Sequence, residues 1–368
     1  MYNNKSDTLV WRIDMGQLTI VSEDEKKQWN MIVKSFCNWD IYYLFEYSKS
    51  FSLYGEGDPY LIHYEGKNMR LCYAVLKNDI AEIDSFNGRL TKGVYFDLCT
   101  PYGYGGPLVE GDFSKEEQLE FEEQFLLYCR TNGIVAQFAR FHPLLQNQKQ
   151  INYIGEKVYV KDAIKIDTLD TEQILHNMKK ECKNRIRKAK KNGVTIQFDQ
   201  GERVAEFIQI YESTMNRLHA SDFYFFEPGY YQYLLDHMKD NLIIFYAMME
   251  ERVVSAAIFF YNHTFMHYHL AGTLKEYLKY APMNLLLYEA AYWAYNRGIK
   301  ELHLGGGVNK EDSLFTFKKS FNKEGNVEIW DGRVIVDRRK YEFLLQKRKE
   351  LDVSFDINNT YYLQYRKQ

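Results

Sequence analysis

"LGGGVNKEDSLFTFKKSF", residues 304–321, is the stretch on which the reading of the chain turns. Three glycines close a strand-like run, an acidic stretch follows, and a lysine pair then sits among phenylalanines. The pattern predicts a helix over 310–321, with Asn309 as its cap and Asp312 three positions on. At about 100° per residue, Leu314, Phe317 and Phe321 form an apolar arc with Lys318 in its middle and Lys319 at its edge. An unpaired buried ammonium is costly, so Lys318 either snorkels out or pairs with an acid. The functional alternative is a cation held in a partly dry cleft, where it stabilises negative charge developing on a carbonyl oxygen.

Outward from that stretch the chain alternates strands and helices. "IKELHLGGG" reads as a strand running into the glycine turn, and "APMNLLLYEAAYWAYNRG" (281–298) before it as a helix stopped at Gly298. Three successive strands are predicted over 241–272. The first half has the same grammar: two strands around a turn over 60–77, another at 93–100, a Ser-capped helix over 114–133 ending at Gly133, and the strand "IVAQFARF" at once after it. "LYCRTNGIVAQFARF" and "AYNRGIKELHLGG" share a helix, a glycine stop and a strand. The reading is two mixed α/β domains of similar plan: residues 1–160, and residues 161–337 divided from them near 155–170. The helical stretch "RRKYEFLLQKRKELDVSF" begins a C-terminal segment, 338–368, expected to return to the first domain.

Composition bounds the function. The 368 residues exceed one ordinary domain, and 46% hydrophobic with 26% charged residues is globular. A net charge of -3 leaves nucleic-acid or membrane partners to local clusters. Five scattered cysteines with no CxxC pair fit reduced thiols. "MYNNKSDTLVWRIDMG" has no secretory leader pattern and no later segment is long and apolar enough to span a bilayer, so a cytoplasmic protein is expected.

Local clusters supply the candidates for chemistry. "MKKECKNRIRKAKKNGV" (178–194) carries eight basic residues against Glu181, and Lys183, Arg187 and Lys191 share one helical face. Such a stripe suits phosphates of RNA, a nucleotide-sugar or a lipid head group, or is simply a solvated face. "FYFFEPGYYQYLLDHM" (223–238) is either a stacking platform or ordinary helix packing that starts near Pro228. His267 and His269 lie on one face of a strand; with no third ligand at a characteristic spacing, a packed or cleft-lining pair is expected and no metal. The triple glycine matches neither phosphate-loop pattern, and nucleophile signatures are absent.

"LGGG" followed by "DSLFTFKKSFNKEGNVEIW" resembles the C-terminal signature of the Fem-type aminoacyltransferases of peptidoglycan synthesis, a GNAT-like N-acyltransferase family. "TPYGYGGPLVEGD" (100–112) looks like that family's first-domain Gly-Pro-hydrophobic-hydrophobic-acid loop, and "KNRIRKAKKNGV" is similar to its basic helix. The resemblance spans roughly residues 60–335. It implies two GNAT-like domains facing a shared cleft, and transfer of an amino acid from aminoacyl-tRNA to an amine of a nucleotide- or lipid-linked peptidoglycan precursor, with no cofactor and no metal. Peripheral membrane contact is left open by a lipid-linked acceptor. Phe317 and Lys318 match the family's Phe-Lys pair, with Lys318 polarising the carbonyl under attack. Glu110 matches the acidic position and is the candidate to handle the amine proton, with Asp112 close by. Lys183, Arg185 and Arg187 would face phosphates, and Tyr102, Tyr104 and Gly106 of the loop would contact substrate.

The departures are as specific. The family's Gln-Ser-x-Trp stretch has no match, and "DIYYLFEYSKSF" (40–51) stands in that region; its long helical arm is missing. Amine attack on an activated ester needs approximation, an oxyanion stabiliser and a proton acceptor, which a cleft, one lysine and one carboxylate supply. Two competitors remain: an acyl-CoA-dependent enzyme, disfavoured because "LKEYLKYAP" rather than a glycine-rich pyrophosphate loop precedes the helix at 282–298, and a non-catalytic RNA- or precursor-binding module.

Overall fold

The computed structural model describes residues 16–112, 114–152 and 154–367. The leader-free reading of the N-terminus falls almost wholly outside them. In chain order the strands are β1 (Gln17–Val21), β2 (Asp58–Glu65), β3 (Met69–Asp79), β4 (Phe96–Cys99), β5 (Leu108–Gly111), β6 (Ile134–Arg140), β7 (Glu156–Asp167), β8 (Val194–Asp199), β9 (Leu242–Met249), β10 (Arg252–Tyr261), β11 (Phe265–Thr273), β12 (Glu301–Gly306) and β13 (Asn326–Ile335). The helices are α1 (Lys26–Ser35), α2 (Phe45–Leu53), α3 (Lys115–Thr131), α4 (Thr171–Asn177), α5 (Lys180–Lys191), α6 (Val204–Leu218), α7 (Pro228–His237), α8 (Pro282–Asn296), α9 (Ser313–Lys319) and α10 (Arg338–Leu351).

All strands belong to one mixed sheet of order β1-β2-β3-β4-β6-β13-β7-β12-β11-β10-β9-β8, with β5 on a free length of β3. Each half repeats a plan. In the first, β1 to β4 are antiparallel neighbours, α3 crosses over, and β6 returns parallel to β4. In the second, β8 to β11 are antiparallel, α8 crosses over, and β12 returns parallel to β11. Parallel neighbours need such a crossover, so the two helix-glycine-strand segments similar in sequence occupy equivalent places. β13 pairs antiparallel with both β6 and β7, so the strand that closes the first half comes from the end of the chain. β7, in the stretch read as a divide, is a central strand of this sheet.

Local signals explain most elements. Ser114 Oγ accepts from the Glu117 amide at 3.1 Å and opens α3; Pro228 is the first residue of α7, where its missing N–H costs nothing. The 223–238 aromatics are packing: Tyr230, Tyr231 and Leu234 are buried, and Phe226 and Tyr230 pack on Phe51 of α2 in a core that runs between the halves. A second core joins α5 and α8 to β7, β9 to β12 through Ile186, Leu286, Ala290 and Leu302. After β13 the chain returns to the first half, where Tyr341 and Leu344 of α10, with Leu363 and Tyr365, bury against Ile80, Phe86 and Val135. No helix of the described residues is long and apolar enough to cross a membrane.

Candidate active site at the fork of β11 and β12

The pairing of β11 with β12 runs from Phe265↔Glu301 through His267↔His303 and then stops. Beyond it the strands part, and Gly305 turns with φ +75° at the mouth of this fork. That backbone suits glycine, and an added Cβ would come within 3.2 Å of the Lys318 Nζ, so the missing side chain makes room for the ammonium. The helix carrying Lys318 is shorter than expected. It starts at Ser313 and is capped by Asp312, whose carboxylate accepts from the Phe315 amide at 2.8 Å and the Asn309 amide at 2.9 Å. Glu311, at φ +57°, blocks an earlier start, so Asn309 is a donor to the cap and not the cap itself.

Lys318 is the buried residue of α9, while Leu314 is 39% exposed. Its Nζ donates to the Gly306 carbonyl at 2.7 Å and lies 5.7 Å from the Tyr268 ring centre. Burial, then the neighbouring Lys161, push its pKa down to about 7, against a smaller upward pull from Asp312. Lys161 holds the next carbonyls of the same turn, Gly307 at 2.5 Å and Val308 at 3.0 Å. One carbonyl occupies one of the three ammonium protons of Lys318, and no carboxylate pairs with it among the described residues. Phe317 packs edge-on to the buried Phe321, at 5.3 Å between ring centres.

Opposite the fork stand residues of the first half. The 100–107 loop is held by Asn147, whose Nδ2 donates to the Gly105 and Pro107 carbonyls at 2.8 and 3.0 Å, and by Tyr43, whose hydroxyl donates to Gly105 at 3.0 Å. Gly106 sits at φ +77° against Phe141. The loop thereby aims Tyr104 at His303, 5.0 Å between ring centres, and Tyr102 at His269, 6.2 Å. Beneath lie Asp40, His142 and His267, all without solvent exposure; Asp40 Oδ2 is 2.6 Å from Nε2 of each histidine. Burial alone would raise the Asp40 carboxyl, but His267 and His142 together hold it well below the usual range. His269 faces the Tyr230 hydroxyl at 3.0 Å, and burial keeps its pKa down to about 3. Arg140, paired bidentately with Asp331 at 2.9 and 3.0 Å, borders Lys161.

The remaining residues singled out from the sequence make contacts of their own. Glu110, on β5, is bound by Arg70 at 2.6 Å and by the Cys37 amide at 2.5 Å. Burial raises its pKa, but these partners outweigh burial and lower it, so Glu110 is a committed, weakly basic carboxylate. Asp112 is exposed beside it. On α5, Arg185 and Arg187 are exposed and Lys183 is half-buried. The start of this helix touches the end of α9, where the Lys179 amide donates to the Ser320 carbonyl at 2.9 Å, so the basic stripe begins beside the lysine helix. Asp40, His142, His303 and Lys161 were not legible from the sequence. His142 and His267 lie 102 and 227 positions from Asp40, and no local pattern marks such a meeting. The predicted pair is split: His267 meets Asp40 and His142 from the other half, while His269 faces Tyr230.

A buried ammonium at a strand fork, flanked by a half-buried lysine and neutral histidines, can stabilise an oxyanion and take up a proton without a covalent intermediate. Residues 176–319 match the family described as acetyltransferase (GNAT) domain. No curated protein sequence matches the chain significantly. Among solved structures, FemX is similar with a TM-score of 0.65 at 12% identity, over 89% of this chain and 99% of that one. A conserved protein of unknown function from Bacteroides thetaiotaomicron VPI-5482 is similar with a TM-score of 0.55 at 9% identity, over 87% and 100%. The chain thus has the fold of FemX, and within it residues 176–319 match the acetyltransferase (GNAT) domain family.

Proposed function

We propose that the protein is a cytoplasmic, metal-independent N-acyltransferase that moves an amino acid from aminoacyl-tRNA to an amine of a peptidoglycan precursor. The observation that carries the reading is Lys318, buried at the fork with its Nζ on the Gly306 carbonyl and no carboxylate partner among the described residues. An ammonium so held costs stability, and the cost has a use if the charge is matched only when the ester carbonyl turns into an oxyanion. The stripe of α5 begins beside α9 and would take the phosphates of donor or acceptor, with Arg185 and Arg187 as contacts. Tyr102 and Tyr104 would line the acceptor side.

An acyl-CoA donor is the second reading, favoured by the acetyltransferase description of the matched domain. Against it, α8 opens with Pro282 behind Ala281 at φ +56°, so the helix start lacks one of the backbone N–H donors that a pyrophosphate would use. Transfer of radiolabel from mixed aminoacyl-tRNAs to a muramyl-pentapeptide precursor, with and without RNase, tests the first reading. RNase-sensitive product is expected; product only with acyl-CoA would replace the donor.

A further inference from the structure

The buried group Asp40, His142 and His267 has the composition of a metal site, and its ligand atoms lie within 4.8 Å of one another. Its hydrogen bonds argue otherwise. A metal-bound imidazole carries its proton on the outer nitrogen and needs an acceptor there. The Nδ1 of His142 instead accepts from the Leu145 amide at 3.2 Å, which puts the proton on Nε2, facing Asp40. Asp40 is thus a carboxylate taking two Nε2–H bonds, and its other oxygen takes the Ile41 amide at 2.6 Å.

For His267 this leaves Nδ1 as the free nitrogen, buried and without a partner among the described residues, and the same holds for the buried Nε2 of His303. The two rings are 5.6 Å apart and belong to the last paired residues of the fork. His303 lies two positions before Gly305, against which the Lys318 Nζ rests. Buried polar atoms left open in a folded chain call for an explanation. Asp40 fixes the ring of His267, and that ring packs against His303, whose own open Nε2 sits on the strand that leads into the Lys318 turn.

Resting on the acyl-transfer reading, we propose that His303 is the proton acceptor of the reaction and that Asp40 and His267 are its positioning residues. The amine lone pair attacks the acyl carbon, a C–N bond forms, and the carbonyl oxygen becomes an oxyanion against Lys318. The nitrogen gives its extra proton to His303 Nε2. As the intermediate collapses, the C–O ester bond breaks and the departing oxygen takes that proton, leaving amide, alcohol and neutral His303. The charged and titratable groups facing His303 are His267, His142, Lys318 and Asp40, with the Tyr104 ring at its edge. Burial first, with the Lys318 ammonium adding to it, keeps His303 unprotonated in the resting protein, and Asp40 opposes them. Oxyanion formation on Lys318 cancels the repulsion from that lysine at the moment the proton arrives.

The test uses the full chain and the aminoacyl-tRNA and precursor assay. His303→Gln is expected to lower kcat by about 10²–10⁴-fold with KM within about twofold, and Asp40→Asn and His267→Gln by a smaller factor. His303→Ala should regain part of its rate with added imidazoles, rising with their basicity, which a merely structural histidine would not show. Nitrogen NMR of the rings at neutral pH should find His267 protonated on Nε2 and His303 Nε2 bare. An active wild type with an unimpaired His303→Gln, a variant that imidazole leaves unrescued, or a protonated His303 Nε2 overturns the relay alone. So does stoichiometric zinc in the wild type that Asp40→Asn loses. A wild type inactive with every donor overturns the acyl-transfer reading, and the relay with it.

Discussion

The two forks of the sheet have one topology and opposite contents. In the first half, β4 and β6 pair from Phe96↔Ile134 to Cys99↔Phe138, and the backbone then re-engages: the Thr100 amide donates to Phe138 at 3.1 Å and the Gly105 amide to Arg140 at 2.7 Å. The C-terminal segment also braces it. Arg366 binds the fully buried Asp97 through two bonds of 2.7 Å, and the Tyr365 hydroxyl adds a third at 2.8 Å. The second fork has no such closure among the described residues; it holds a lysine without a counter-ion and two open histidine nitrogens. A charge satisfied on all sides stabilises a fold, and one left partly unmatched is available to a reaction. The first fork is braced, and the second is where the proposed acyl transfer would take place.

Removing the central charge should separate the forks most clearly. Lys318→Ala is expected to reduce transfer by about 10³-fold or more, with far-UV circular dichroism unchanged; undiminished activity would remove Lys318 from the mechanism. The counterpart in the first fork is Arg366→Ala, which leaves Asp97 buried without its cation. Loss of roughly 3–5 kcal/mol in urea denaturation is expected, while the Lys318 titration followed by NMR stays in place.

Smaller effects sharpen the contrast. Gly305→Ala forces a Cβ toward the ammonium at positive φ, and about 1–3 kcal/mol of stability should be lost together with transfer. The depressed Lys318 pKa has a definite sign for stability. Between about 7 and 10.5 the folded chain holds fewer protons than the unfolded one, so wild-type stability rises with pH through that window. Lys318→Met should abolish this slope and raise the melting temperature at pH 7, whereas an unaltered slope would place the titration elsewhere. Transfer that needs the ammonium should fall as pH rises through about 7. Smallest, Arg185→Ala and Arg187→Ala should each weaken tRNA binding by about 1 kcal/mol and flatten its salt dependence; an unchanged slope would return α5 to a solvated face.

Much of this was legible along the chain. The helix-glycine-strand repeat, the Ser114 cap, the start of α7 at Pro228 and the glycine turn before α9 are local, because capping, periodicity and backbone conformation act over a few residues. The arc of Leu314, Phe317 and Phe321 correctly marked Lys318 as inward-facing, although Glu311 in the left-handed region moved the helix start and its cap. Asp40 shows the limit. It lies in "DIYYLFEYSKSF", where the family motif has no match, and nothing around it signals a carboxylate that two histidines will share.

The sequence by itself determined the alternation of elements, the α/β class, the motifs of the Fem-type resemblance and the inward lysine. Only the tertiary structure decided that β13 is laid between β6 and β7, that the C-terminal segment braces the first fork, and that Asp40, His142, His267 and His303 meet beneath the second. The physical reason is range. Caps and apolar periodicity are set by neighbours in the chain, whereas burial, the pairing of charges and the pKa values that follow are set by neighbours in space, from segments more than a hundred residues apart.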